Sequence, residues 1–293
     1  MKMNFANPKA DFTFKRLFGS DNHKKLTISL LNNILGRTKD NEITEIKFCN
    51  IENIPAMNSE KESYLDILCT DKLNHTFIIE MQVAKEQAFR KRSVFYTALG
   101  VVDQMHKGDD YSKIKPVIFI GILNHPMFAN RDRVVSHHIV CDMDISTQSF
   151  EEVEWHFVEL CNFNKELDEL ETNMDKWLYF LKKAESLTVV PTQFAHSPEF
   201  KEAFQVIEQS LWTPEERRAY LKSLDDLNKY SRLQAGIFEE GFEEGFEEGF
   251  EEGELKKAET VAINFLKMGL SSQVIAQGTG LSLDQIDELR KKM

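Results

Sequence analysis

The sequence predicts an α/β sandwich built around a mixed sheet and followed by an all-helical C-terminal extension. Three observations carry that expectation. The run Pro116-Val117-Ile118-Phe119-Ile120-Gly121-Ile122-Leu123 is almost uninterruptedly apolar and suits a strand buried on both faces. Two β-rich runs, 64–70 and 76–83, are joined by the turn-like Asp71-Lys72-Leu73-Asn74. Helical periodicity stands before, between and after them.

Taken in order, the segment Asp11-Phe12-Thr13-Phe14-Lys15-Arg16-Leu17-Phe18-Gly19 sets Phe14, Leu17 and Phe18 on one helical stripe, with Gly19 as its stop. Leu26, Ile28, Leu30, Leu31, Ile34 and Leu35 give a second helix a broad apolar face that ends at Gly36. From Glu42 the period shifts toward two, and Ile43, Ile46 and Phe48 mark the first strand-like segment. After the paired strands a helix is expected from about 85 to 107, closed by Gly108. The buried strand follows, then strands at 134–141 and 153–160. Beyond them the pattern is helical over 167–184 and 197–209. A further helix opens at Thr213-Pro214-Glu215-Glu216, where a cap, a proline and first-turn acids coincide, and runs to about 233.

The 293 residues therefore divide into an α/β domain at 1–160, a helical extension at 161–235, an acidic Gly-Phe-Glu-Glu repeat at 236–254 and a small helical module at 255–293. No apolar run approaches the roughly 18 residues that span a bilayer, and the N-terminus lacks the apolar stretch of a signal peptide, so a cytoplasmic protein is expected. Cys49, Cys69, Cys141 and Cys161 form no C-x-x-C pair, which argues against a disulfide framework or a structural zinc site and for buried free thiols. The net charge of −12 is unusual for a nucleic-acid binder. Residues 239–254 account for much of it: they hold nine glutamates and no basic residue, and without them the chain carries −3.

Chemistry is expected where carboxylates interrupt apolar strands. Asp66 sits within Tyr64-Leu65-Asp66-Ile67-Leu68, and Glu80 within Phe77-Ile78-Ile79-Glu80-Met81-Gln82 on the neighbouring strand. A buried charge is costly without a partner. Alternation puts Glu80 and Gln82 on one face, and a hairpin brings Asp66 opposite them. Two carboxylates, an amide and a backbone carbonyl suit a Mg²⁺-type ion. Spacing alone leaves a plainer reading open, in which Asp66 caps a turn and Glu80 pairs with a neighbouring lysine.

The order helix, strand, Asp, hairpin, Glu-x-Gln, helix resembles the PD-(D/E)XK restriction-endonuclease-like core. The words Asp11–Gly19, Ile79-Glu80-Met81-Gln82, Lys91-Arg92-Ser93-Val94-Phe95-Tyr96, Gly108-Asp109-Asp110-Tyr111, Lys115-Pro116-Val117-Ile118 and His156-Phe157-Val158-Glu159-Leu160 are similar to those of the recombination-promoting nuclease and transposase family. The resemblance covers about 4–160 together with the Gly-Glu-rich tail. It implies divalent-metal-dependent DNA cleavage linked to recombination or defence against foreign DNA. In that reading Asp66, Glu80 and the Met81 backbone carbonyl hold Mg²⁺ or Mn²⁺, and Gln82 stands where a lysine is usual. Leu65 likewise replaces a common proline. A lysine stabilises charge and lowers the pKa of an attacking water, whereas an amide only orients it. A transposase-type strand transfer, or a non-catalytic DNA-binding or regulatory protein with a degraded site, are the rival readings.

Lys91 and Arg92, on the helix after the Glu-x-Gln strand, are candidate phosphate contacts, with Tyr96 on the same face; a solvated helix face and core packing are the alternatives. Asp11 is either an accessory acid or a helix cap. His137 and His138 are adjacent in a strand and point to opposite faces, so no catalytic role is assigned to either.

In the tail, Phe238, Phe242, Phe246 and Phe250 recur every four residues, as do Gly241, Gly245, Gly249 and Gly253. A four-residue step leaves a slowly turning apolar stripe on a helix, and each glycine weakens that helix by roughly 1 kcal/mol relative to alanine. Pairing with a second copy, giving a dimer through the C-terminal helical region, is one reading; a solvated acidic linker is the other. The short helices of 255–293 resemble a helix-turn-helix, but Ser282-Leu283-Asp284-Gln285-Ile286-Asp287-Glu288 is acidic where a DNA-reading helix is basic, which favours a protein contact.

Overall fold

The computed structural model describes residues 3–49, 65–128 and 132–292, with only the backbone for 230–231, 233–235 and 237–252. Tyr64, at the head of the predicted second strand, and the side chains of the phenylalanine stripe lie outside the described residues. The chain forms two compact units, Met1–Ser231 and Arg232–Met293.

The first unit is an α/β fold around strands β1 (Ile46–Phe48), β2 (Ile67–Asp71), β3 (Thr76–Gln82), β4 (Val117–Leu123), β5 (Val135–Asp142) and β6 (Thr147–Glu159). They make one six-stranded sheet in the order β1-β2-β3-β4-β6-β5. The pairs β3–β4 and β4–β6 are parallel and the other three are antiparallel, so the sheet is mixed. The helices of this unit are α1 (Asp11–Phe18), α2 (Lys24–Ile34), α3 (Phe89–Val102), α4 (Asn173–Lys183), α5 (Pro198–Ile207) and the start of α6 (Pro214–Lys267).

The period of two along each strand divides the core. Phe77, Ile79 and Met81 of β3 and Ile118, Ile120 and Ile122 of β4 pack with Phe14, Leu17 and Phe18 of α1, Leu30 of α2, Trp177 and Phe180 of α4, and Phe200 and Phe204 of α5. Ile78 of β3 and Val117, Phe119 and Leu123 of β4 face the other way, against Phe89 and Tyr96 of α3. Both faces of β4 are therefore covered, and all of its residues are buried. The helices after residue 160 share the larger of these cores with the first two helices.

Local chemistry sets the connections. Asp71 Oδ1 accepts the amides of Leu73 and His75, each at 2.9 Å, and Asn74 takes φ 62°, so the expected hairpin turn between β2 and β3 is an Asx-type turn. The Thr172 hydroxyl accepts from the Asp175 amide and the Asp175 carboxylate from the Thr172 amide, each at 3.0 Å, a capping box that opens α4.

Three elements differ from the sequence expectation. Helix α3 is shorter than 85–107. Its C-terminal side is held by Gln104, whose amide donates to the Gly100 and Lys115 carbonyls at 3.1 Å and accepts from the Lys115 amide at 2.8 Å, turning the chain toward β4. Strand β6 begins at Thr147 rather than near 153, because residues 147–150 pair with β5 across a tight turn although they are exposed. Helix α6 continues past 233 through the acidic repeat to Lys267. Glycine weakens a helix without breaking it as proline does. Only Cys69 of the four thiols is buried, and all four are free.

The second unit holds α7 (Ser272–Thr279) and α8 (Leu283–Lys291), packed through Ile275, Leu281 and Ile286 onto Ala262 of α6. Among the described residues no helix is long and apolar enough to cross a membrane.

Two glycines allow the α3 layer to approach the sheet. A Cβ on Gly100 would meet Val117 Cγ1 at 2.9 Å, and one on Gly121 would meet Phe157 Cδ1 at 2.9 Å and Phe89 Cε1 at 3.2 Å. Gly121→Ala is expected to overpack this layer by about 1–3 kcal/mol and to lower the melting temperature by several degrees. Calorimetry checks it; an unchanged melting temperature would mean that the two rings yield freely.

Candidate active site

The register that pairs Ile67 with Ile79 and Leu68 with Ile78, carried one step back, sets Asp66 across from Glu80. Glu80 in turn is the β4 partner of Gly121. Alternation puts Glu80 and Gln82 on the α3 side with Ile78, while Ile79 and Met81 point into the other core. The missing side chain at Gly121 leaves room for the Phe89 and Phe157 rings on this side of the sheet.

Glu80 is fully buried. Its Oε2 accepts from Arg92 Nη2 at 3.1 Å, and its Oε1 is buried without a hydrogen-bond partner. Burial, opposed by the Arg92 guanidinium and reinforced by the charge of Asp66, pushes the Glu80 carboxyl up to about 8. Asp66 Oδ2 accepts from the Met81 amide at 2.7 Å. Burial raises Asp66 to about 6, against the opposing pull of that hydrogen bond and of Lys15. Gln82 is partly buried at the end of β3.

Arg92 is held on α3 by more than Glu80. It also pairs with Glu86, and its guanidinium lies 5.1 Å from the centre of the Phe89 ring and 6.0 Å from that of Tyr96. The ionic partner of Glu80 is thus this arginine, two turns into the segment after β3, and not a lysine. Tyr96 is buried in the core beneath α3, and burial raises its pKa, with Glu80 adding to the shift. Lys91 is exposed.

Lys15 of α1 is the residue that sequence reading missed. Its Nζ lies 3.9 Å from Asp66 Oδ1 and 2.7 Å from Asp11 Oδ1. The i,i+4 spacing of Asp11 and Lys15 was visible in the first helical word; that the pair reaches Asp66 depends on how α1 packs. Asp11 lies in the first turn of α1 and makes no side-chain cap, and its charge raises the Asp66 pKa. His137 and His138 do face opposite ways: His138 stacks on Phe128 at 4.8 Å, and His137 on His156.

The arrangement joins two carboxylates, one buried oxygen in want of a cation, an amide beside them and two cationic side chains from different helices. A family model described as PD-(D/E)XK nuclease family transposase matches residues 8–234. No curated protein and no solved structure matches the chain.

Both raised carboxyls bear on stability. Between their ordinary values, 3.8 for Asp66 and 4.5 for Glu80, and the raised values of about 6 and about 8, the folded chain binds more protons than the unfolded one. Stability of the metal-free protein is therefore fully present below about pH 4 and falls as pH rises through 8. Glu80→Gln removes the larger contribution, while Arg92 keeps Glu86. This variant is expected to unfold at a higher temperature than wild type at pH 8.5, by on the order of a few kcal/mol, and to match it near pH 4.5. A lower melting temperature at pH 8.5 would show that the Arg92 pair outweighs desolvation.

Proposed function

The chain belongs to the PD-(D/E)XK nuclease family of transposases, and from that premise we propose that it is a divalent-metal-dependent DNA endonuclease. The observation that carries this reading is the buried Glu80 carboxylate, set across the hairpin from Asp66 with one oxygen unpartnered. A carboxylate buried within an apolar strand is costly, and a role in chemistry is what would repay keeping it there.

The donors fit Mg²⁺ or Mn²⁺: carboxylate oxygens and a backbone carbonyl are the hard ligands these ions take. Asp66, Glu80 and the Met81 carbonyl would hold the ion. Once bound, it polarises a phosphoryl oxygen and makes a water acidic enough to attack at neutral pH.

The chain's own groups do the rest. Gln82 orients the attacking water through its amide. Lys15 supplies, from α1, the positive charge that Gln82 lacks. Arg92 offsets part of the cost of ionising Glu80, and with Lys91 it brings cationic groups to a phosphate at the start of α3. Strand transfer would draw on the same chemistry, and the transposase description of the family is what favours weighing it.

Supercoiled plasmid incubated with the full chain and Mg²⁺ or Mn²⁺ is expected to be nicked or linearised. Asp66→Ala and Glu80→Ala are expected to lose this by about 10²–10³-fold, the range seen when a central electrostatic group is removed. Gln82→Ala and Lys15→Ala should keep residual activity. Equal nicking by wild type and by the Asp66 and Glu80 variants would refute the assignment. Labelled donor ends joined to a circular target would establish strand transfer.

We also assign self-association to the C-terminal unit. Leu255, Met268, Leu270, Val274 and Leu283 are exposed large apolar residues there. Light scattering is expected to give a dimer for the full chain and a monomer after truncation at residue 231. A monomeric full chain would dismiss the idea.

A further inference from the structure

We propose that the β5–β6 ribbon carries a second, chemically different metal site, for a divalent transition metal of the zinc type, with His137, Glu154 and His156 as ligands. The proposal is independent of the carboxylate pair. His137 and His156 are direct cross-strand partners, and Glu154 lies two residues before His156 on the same strand, so the three side chains share one face. One ligand atom from each lies within 4.8 Å of the other two.

That face is the one opposite α3. His156 stands beside Ile120 of β4, whose side chain enters the α1 core, whereas Glu80 points to the α3 side of the sheet. The two sets of donors are therefore separated by the sheet itself and belong to different strands.

Two features point to a ligand. His156 is 5% exposed, and its Nε2 is buried with no hydrogen-bond partner, the nearest carboxylate oxygen being Glu154 Oε1 at 3.6 Å. The imidazoles of His137 and His156 stack at 4.1 Å with an interplanar angle of 13°, both turned on one carboxylate, since His137 Nε2 lies 2.9 Å from Glu154 Oε2.

Two imidazoles and one carboxylate are a donor set that zinc accepts with a fourth position open, and one that Mg²⁺ does not favour. The half-exposed His137 leaves an entry path from solvent. A bound ion would pin the edge strand β5 to β6 beside the bulges at 139–141.

Co²⁺ serves as the spectroscopic probe and Zn²⁺ as the calorimetric one, both titrated into the full metal-free chain. The same titrations are run on an Asp66→Asn/Glu80→Gln variant, which removes the carboxylate pair. One ion per chain is expected in that variant, with the intense visible absorption of low-coordinate Co²⁺ and a raised melting temperature. His137→Ala, a change at a half-exposed position, and Glu154→Gln are expected to weaken uptake by more than the roughly 10- to 100-fold that a supporting residue alone costs. Absence of uptake, uptake indifferent to both of these substitutions, or uptake lost with the Asp66 and Glu80 carboxylates would each overturn the proposal.

Discussion

A single carboxylate, Glu80, sits with no exposed surface in the middle of an apolar strand, and much of the first unit is arranged so that it can stay there. An ion the size of a carboxylate loses several kcal/mol of hydration on burial, and only opposite charge and hydrogen bonds offset that loss. Here the offset comes from Arg92, in the first turn of α3, whose guanidinium also lies over the Phe89 ring and near that of Tyr96. Gly100 and Gly121 let α3 and the Phe89 and Phe157 rings lie close to the sheet. One oxygen still lacks a partner. The site is thus left short of positive charge, which is the condition under which a cation binds.

The same sheet separates two chemistries by parity. Along β3 the α3 side receives Glu80 and Gln82, hard oxygen donors, with Arg92 beside Glu80. Along β6 the opposite side receives Glu154 and His156, which meet His137 from β5. A shift of one residue in either strand would exchange these groups with core residues such as Ile79 or Phe157, so the register that builds the core also fixes which donors each face presents.

Charge is distributed with similar economy. The nine glutamates of 239–254 account for most of the acidity, and they follow the end of the compact first unit at Ser231. Within that unit Lys15 lies beside Asp66 and Arg92 beside Glu80. The whole-chain average therefore says little about what a nucleic acid would meet at the site.

The sequence by itself determined the layers and the donors. The apolar run of β4, the alternation in β3 and the stripe of Phe14, Leu17 and Phe18 each need only neighbours along the chain, because burial and backbone period are local properties. The Asp66 and Glu80 pair was legible because a carboxylate amid apolar strand residues is costly enough to be noticed without coordinates. What only the tertiary structure decided was contact between residues far apart in sequence. Lys15 beside Asp66 depends on how α1 packs, and His137 beside His156 depends on strand pairing across a bulged ribbon whose tip is exposed. Arg92 was visible as a cation, but that it partners Glu80 follows from the angle at which α3 crosses the sheet. Local period fixes which face a side chain takes; which partner waits on that face is set by packing between elements, and no window of the sequence contains it.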